Sequence, residues 1–277
     1  MFAASVALYL TVRKSSLINT PSYLTNLAMF AIPLFVYVMI GIVYRSPLTL
    51  TWWQFVVLLI TAIVFAYGGN KASLHAISVA PNPGYSLVLS KSYVLFTTIV
   101  AVTLLGAELT TQKAIAILII IAFSTLVMVS KKDAKHVKSQ KWILLSFVAF
   151  FAWGMLSLTS KYLFNEGVDT ISFLVYLYAI VTICIVAIDK VNVGKIKVLS
   201  GEAKLLLIGT GIFSTLFNLG QFEAIRLAPN VGYVNAINAG SIAVVTIFAV
   251  LLFRDELTVW KAVGVLGVTL GLSLLLV

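Results

Sequence analysis

The chain has 277 residues, 61% of them apolar and only 10% charged, with a mean hydropathy of +1.08 and a net charge of +10. A soluble domain is nearer half apolar and a quarter charged, so a soluble globular enzyme, a disordered chain, a collagen-like repeat and a disulfide-stapled secreted domain are excluded. The single cysteine, Cys184, cannot close an intrachain disulfide, and its apolar neighbours make it a buried helix residue. The positive charge reads as lysines gathered on one membrane side rather than as a nucleic-acid surface. No cleavable signal peptide is evident, because Arg13 and Lys14 follow the apolar start instead of preceding it.

At about 20 residues per crossing of about 30 Å of hydrocarbon, ten helices use about 200 residues and leave only short loops. The apolar runs place them at 1–19, 23–44, 53–78, 82–105, 112–130, 142–163, 170–189, 203–226, 230–253 and 258–277. Helices are the expected form because lipid cannot satisfy open backbone groups. Runs such as Ala114 to Ala122 are continuously apolar, whereas barrel strands alternate. The breaks carry turn chemistry at Ser46-Pro47, at Ala80-Pro81-Asn82-Pro83-Gly84 and at Ala228-Pro229-Asn230.

Residues 76–129 align without a gap on residues 224–277, an offset of 148, with 20 identities in 54 positions. Pro81, Asn82, Gly84 and Tyr85 answer Pro229, Asn230, Gly232 and Tyr233. Glu108 answers Glu256, Lys113 answers Lys261, and upstream Asn70 answers Asn218. The fold expected is an all-α polytopic membrane protein of ten transmembrane helices in a 5+5 inverted repeat. Residues 1–130 form the first repeat, 131–141 a basic connecting loop and 142–277 the second repeat. Five is odd, so the second repeat enters the membrane from the opposite side, an arrangement typical of alternating-access transporters with a site near the midplane.

Of the 19 basic residues, 13 fall on the side of the central loop (Lys131, Lys132, Lys135, Lys138 and Lys141 among them) and 4 on the other, with Lys71 and Lys91 inside spans. The positive-inside rule then puts that loop in the cytoplasm and both termini outside. The membrane expected is a prokaryotic inner membrane.

The ten-span layout, the loops "GAELT" at 106–110 and "RDELT" at 254–258, and Trp153-Gly154 early in the sixth span resemble the drug/metabolite transporter superfamily, in its ten-helix EamA-type branch. The resemblance covers nearly the whole chain. It implies a cavity lined by helices one to four and six to nine, and secondary transport of small metabolites such as amino acids. Members of that family are usually drawn with both termini in the cytoplasm, opposite to the charge count.

Lys91 sits about nine residues, or about 14 Å, into the fourth span. There a lysine costs about 2.5–3.5 kcal/mol on insertion scales. It either binds an anionic group or couples protons, or it is a structural lysine held by helix carbonyls, Ser90 or Ser92. In the third span Tyr67, Lys71 and His75 share one face, with Asn70 beside them. Lys71 either lines the site or snorkels to the interface, and His75 either couples protons or is simply hydrogen-bonded. The second repeat answers with amides, Asn218 and Gln221 in the eighth span and Asn235 and Asn238 in the ninth, which either bind solute or join helices. Tyr85 and Trp153 complete the substrate-binding candidates. Glu223, aligned with His75, is a proton-coupling candidate or a solvated carboxylate. Gly267 and Gly271 give the tenth helix a small-residue surface.

No phosphate loop, metal-ligand spacing or hydrolytic triad is visible, so neither cofactor nor metal is expected. The function expected is secondary transport of a small polar or zwitterionic, carboxylate-bearing metabolite. An exporter of lipophilic cations is the alternative, with Lys91 repelling such a cargo, and a lipid-modifying membrane enzyme is the third reading. The partners expected are a small-molecule substrate and the bilayer, with no nucleic acid. The chain is expected as a monomer, or a homodimer through the tenth helix.

Overall fold

The structure is a computed structural model that describes residues 1–80, 83–128, 141–189, 191–254 and 258–276, the side chains of 83–85 and 128 aside. The described residues are helical throughout, joined by short turns, and contain no strand. In chain order the helices are α1 (Phe2–Leu17), α2 (Ser22–Tyr44), α3 (Trp52–Ile60), a π-helical segment (Thr61–Gly68), α4 (Gly69–Val79), α5 (Pro83–Lys91), α6 (Tyr93–Leu105) and α7 (Thr111–Met128). The rest are α8 (Lys141–Asn165), α9 (Thr170–Ile188), a 3-10 turn (Val193–Val198), α10 (Gly201–Leu227), α11 (Val231–Phe253) and α12 (Val259–Leu276). The expected loop residues 131–140 lie outside the described residues, and Lys141 opens α8.

Among the described residues, eight helical stretches are long and apolar enough to cross a membrane: Ser22–Tyr44, Trp52–Val79, Ser86–Leu105, Lys141–Asn165, Thr170–Ile188, Gly201–Leu227, Val231–Phe253 and Val259–Leu276. The shorter apolar helix Thr111–Val127 and the 16-residue α1 fall below that length. Their outer faces are apolar and open, as at Phe35, Leu104, Leu144, Ile183, Leu205 and Leu266. In water such surface would drive association; in lipid it costs nothing.

Two of these stretches are not regular α-helix throughout. The expected third span (53–78) passes through the π-helical Thr61–Gly68. The expected fourth span (82–105) stops at Lys91, turns at Ser92 (φ −62°, ψ −5°) and restarts at Tyr93. Local hydroxyl bonds accompany this second break. Ser90 Oγ donates to the Leu87 carbonyl at 3.2 Å and Ser92 Oγ to the Val88 carbonyl at 2.8 Å. The Leu95 amide then reaches back only three residues, to the Ser92 carbonyl. Side-chain bonds of this kind compete with the helical ladder and bend it.

Helix boundaries recur at the 148-residue offset found in the sequence. The ends of α1 and α8 (17 and 165), the starts of α2 and α9 (22 and 170), and the ends of α4 and α10 (79 and 227) are so spaced. The same holds for the starts of α5 and α11, the ends of α6 and α11, and both ends of α7 and α12. Left-handed residues follow suit: Asn19 with Gly167, and Gly106 with Arg254.

Packing divides the chain into two compact units, each drawing helices from both sequence halves. Unit 1 comprises Met1–Ile63 and Thr159–Arg226. Here α2 lies along α9, and Tyr37, fully buried on α2, donates to the Thr215 carbonyl at 2.8 Å and meets the edge of Tyr178 at 5.2 Å. Phe164, Phe173 and Phe222 form an aromatic cluster. A capping box of Thr51 and Gln54 starts α3, and Asp169 caps α9 through the Ser172 amide.

Unit 2 comprises Val64–Leu158 and Leu227–Val277. Its tightest pairing is α7 on α12, where Gly264, Gly267 and Gly271 bring the backbone of α12 against Val127, Phe123 and Ile120. A Cβ at Gly267 would overlap the Phe123 ring. The small-residue surface of α12 is therefore occupied by α7 of the same chain.

Candidate functional site

The polar interior of unit 2 is built on the two interrupted spans, on α8 and on α11. The π-helical segment delivers Tyr67, only 9% exposed, to the junction with α4. Lys71 Nζ donates to Tyr67 Oη at 3.2 Å and stands 5.5 Å from the ring centre. Lys71 is exposed, and the Tyr67 phenol meets its ammonium by a hydrogen bond and by its ring quadrupole. Asn70 is half-buried beside them, while His75 is exposed further along α4. Gly69 abuts Ala152 of α8, where a Cβ would come within 2.6 Å of the alanine Cβ.

Lys91 is half-buried and closes α5, so its ammonium belongs to the end of a half-helix whose last carbonyls carry partial negative charge. Tyr85, on α5, is among the residues whose side chains are not described. Trp153 is half-buried on α8, and its carbonyl accepts from Ser157 Oγ at 3.2 Å. Its neighbour Gly154 admits the ring of Phe96, which also stacks with Phe150 and Phe151. The Trp-Gly pair is therefore where α8 and α6 approach closely.

On α11, Asn235 is fully buried: its Nδ2 donates to Thr97 Oγ1 at 3.1 Å and its Oδ1 accepts from Ser157 Oγ at 3.4 Å. This amide ties α11 to α6 and α8, the helix-joining role that the sequence left open. Asn238 is 6% exposed, and its Oδ1 has no donor among the described residues. The repeated Pro-Asn-x-Gly-Tyr motif acts at the head of the same helix. Asn230 accepts from the Gly232 amide at 2.8 Å, and Gly232 lets Thr98 of α6 come close. Asn230 Nδ2 and Tyr233 Oη both donate to the Glu108 carbonyl, at 3.3 and 2.7 Å, while Lys113 lies 5.0 Å over the Tyr233 ring.

Three of the expected site residues stand in unit 1. Asn218 donates to the carbonyl and hydroxyl oxygens of Ser214 at 2.8 and 3.2 Å. Gln221 is half-buried one turn on. Glu223 forms an ion pair with Arg226 at 2.8 Å, three residues along α10 near its end. Sequence reading passed over Thr97, Ser157, Tyr37 and Tyr178. Hydroxyls are common in membrane helices, and nothing in the pattern of the chain sets these four apart.

The model of the EamA-like transporter family matches residues 140–277. The search of curated proteins finds no match. Among solved structures 28 chains match. One is a crystal structure of a protein with 14% sequence identity and a TM-score of 0.78, covering 99% of this chain and 94% of its own. That likeness extends the shared fold to nearly the whole length. The chain belongs to the EamA-like transporter family of the drug/metabolite transporter superfamily and is a multi-pass membrane protein.

Proposed function

We propose that the protein is a secondary transporter that moves a small polar or zwitterionic, carboxylate-bearing solute by alternating access. The observation that carries this reading is Lys91 at the interruption of the fourth span. Irregular backbone at membrane depth is tolerated where it lines a protein interior or a cavity, and in transporters such discontinuities hold the substrate. A lysine in lipid is costly, and the aligned Ala239 means that the repeated scaffold does not require one. Lys91 supplies positive charge to the anionic group, and Tyr67, Lys71, Asn70 and Trp153 line the same unit. Asn218 and Gln221 are proposed as solute ligands of unit 1, and His75 and Glu223 as proton-coupling groups.

The ten-span, 5+5 inverted arrangement belongs to this proposal. It is supported by the gapless sequence repeat and by helix boundaries that recur with the same offset. We place residues 131–141 on the cytoplasmic side from the charge count. A cysteine at position 136, in a chain with Cys184 replaced, should resist a membrane-impermeant thiol reagent on intact cells. Ready labelling would reverse the orientation.

Reconstitution into liposomes tests the function itself. Uptake of at least one member of an amino-acid and small-carboxylate panel is expected, with no response to lipophilic cations. Transport of lipophilic cations and of no carboxylate would replace this reading with the exporter.

A further inference from the structure

Two amides on one face of α11 have opposite fates. Asn235 has both ends of its carboxamide bonded, to Thr97 and to Ser157. Asn238, one turn on, is 6% exposed with its Oδ1 sealed from solvent and without a donor among the described residues. A buried acceptor left unpaired is a standing cost to folding, and an apolar residue of the same shape would remove that cost. Asn238 therefore sits at a position where stability alone favours leucine.

Its place in the repeat is informative. Asn238 answers Ser90, next to Lys91 at the break of the fourth span. The Ser90 hydroxyl is satisfied within its own helix by the Leu87 carbonyl, whereas the amide is not. Val94, in the first turn of α6, shares one buried cluster with Ala236 and Ala239 of α11, the neighbours of Asn238 in sequence. The unpaired oxygen thus belongs to the stretch of α11 that packs with the restart of the fourth span.

We propose that Asn238 Oδ1 accepts a hydrogen bond from the transported solute, and that the solute pairs an anionic group with an N–H or O–H donor such as a primary ammonium. The anionic half rests on the reading of Lys91 given above. The donor half rests on the burial of Asn238 alone. Asn235 is the helix clasp beside it and takes no part in binding.

Melting of the purified full-length protein in detergent separates the two amides. Asn235→Leu removes the two bonds that join α11 to α6 and α8 and is expected to lower the midpoint by about 3 °C or more. Asn238→Leu is expected to leave it unchanged or raise it. A fall for Asn238→Leu as large as for Asn235→Leu would show a structural partner for the oxygen and overturn the proposal. The second arm uses glycine, L-alanine and N,N,N-trimethylglycine as probes, read as shifts of the wild-type midpoint. A donor-bearing amino acid should stabilise the protein and trimethylglycine should not. Apparent affinity should fall at least tenfold in Asn238→Leu and be retained in Asn238→Asp. Equal stabilisation by glycine and trimethylglycine, or an undiminished shift in Asn238→Leu, would overturn it. If no probe stabilises the wild type, the amino acid-like solute fails, and the melting comparison still decides whether Asn238 is held in reserve for a ligand.

Discussion

The third and fourth spans and their counterparts at the 148-residue offset, α10 and α11, share sequence and boundaries yet differ in the middle. In the second, α10 runs unbroken over 27 residues and α11 over 23. In the first, a π-helical segment occupies residues 61–68 and a turn at Ser92 divides α5 from α6. The cations follow the irregularity: Lys71 and Lys91 are answered by Leu219 and Ala239. Regular helix satisfies its own backbone and tolerates lipid or packed protein on every side. Broken helix exposes polar groups and tolerates neither without a partner. The first pair therefore carries Lys71, Lys91 and the irregular backbone, while the second supplies continuous helices, buried amides and, near the end of α10, the Glu223–Arg226 ion pair.

Moving the charge across the repeat is the severest way to break this contrast. Ala239 is 6% exposed on unbroken α11, inside the cluster that includes Val94, Ala116 and Ile117. Ala239→Lys adds an insertion cost of about 2.5–3.5 kcal/mol and overpacks the core by about 1–3 kcal/mol. Folded protein should be almost lost, as judged by size-exclusion chromatography of a fluorescent fusion. Wild-type yield and melting would mean that the fourth span and α11 accept a lysine equally.

A smaller effect is expected at the head of α11. Tyr233→Phe removes one of two donors from the Glu108 carbonyl and leaves the one from Asn230. The loss should be about 0.5–1.5 kcal/mol, a fall of a few degrees in the melting midpoint. Tyr85→Phe sharpens the comparison, since Tyr85 answers Tyr233 in the repeat. An equal fall would make both tyrosines anchors of their helices, whereas a fall for Tyr233 alone would add a second asymmetry.

Much of this architecture was legible in the chain. Apolar length located most spans to within a few residues, because burial in lipid imposes an unmistakable run of apolar side chains. The Pro-Asn-x-Gly-Tyr motif marked the start of α11 for a local reason: Asn230 caps the helix and Gly232 allows close approach. The two interruptions were not legible. Neither contains a proline, and the break at Ser92 is accompanied by serine hydroxyl bonds that also occur in regular helix. The site was legible as a set of residue types, not as an arrangement. Asn235 and Asn238 look alike in sequence, and only packing separates the clasped amide from the unpaired one. The Glu223–Arg226 ion pair, by contrast, was legible, since opposite charges three residues apart on a helix are neighbours.

The central claim is that the interrupted fourth span presents Lys91 to an anionic group of the solute. Lys91→Met keeps length and apolar volume while removing the charge, and a unit pair at about 4 Å with an effective dielectric near 20 is worth about 4 kcal/mol before desolvation. The most direct measurement is the concentration dependence of uptake into liposomes by Lys91→Met protein that melts like the wild type, using a solute the wild type carries. The account predicts at least a tenfold loss in transport efficiency, with Lys91→Arg retaining part of it. Wild-type affinity and rate in Lys91→Met would make Lys91 a structural lysine and remove the anionic group from the description of the solute.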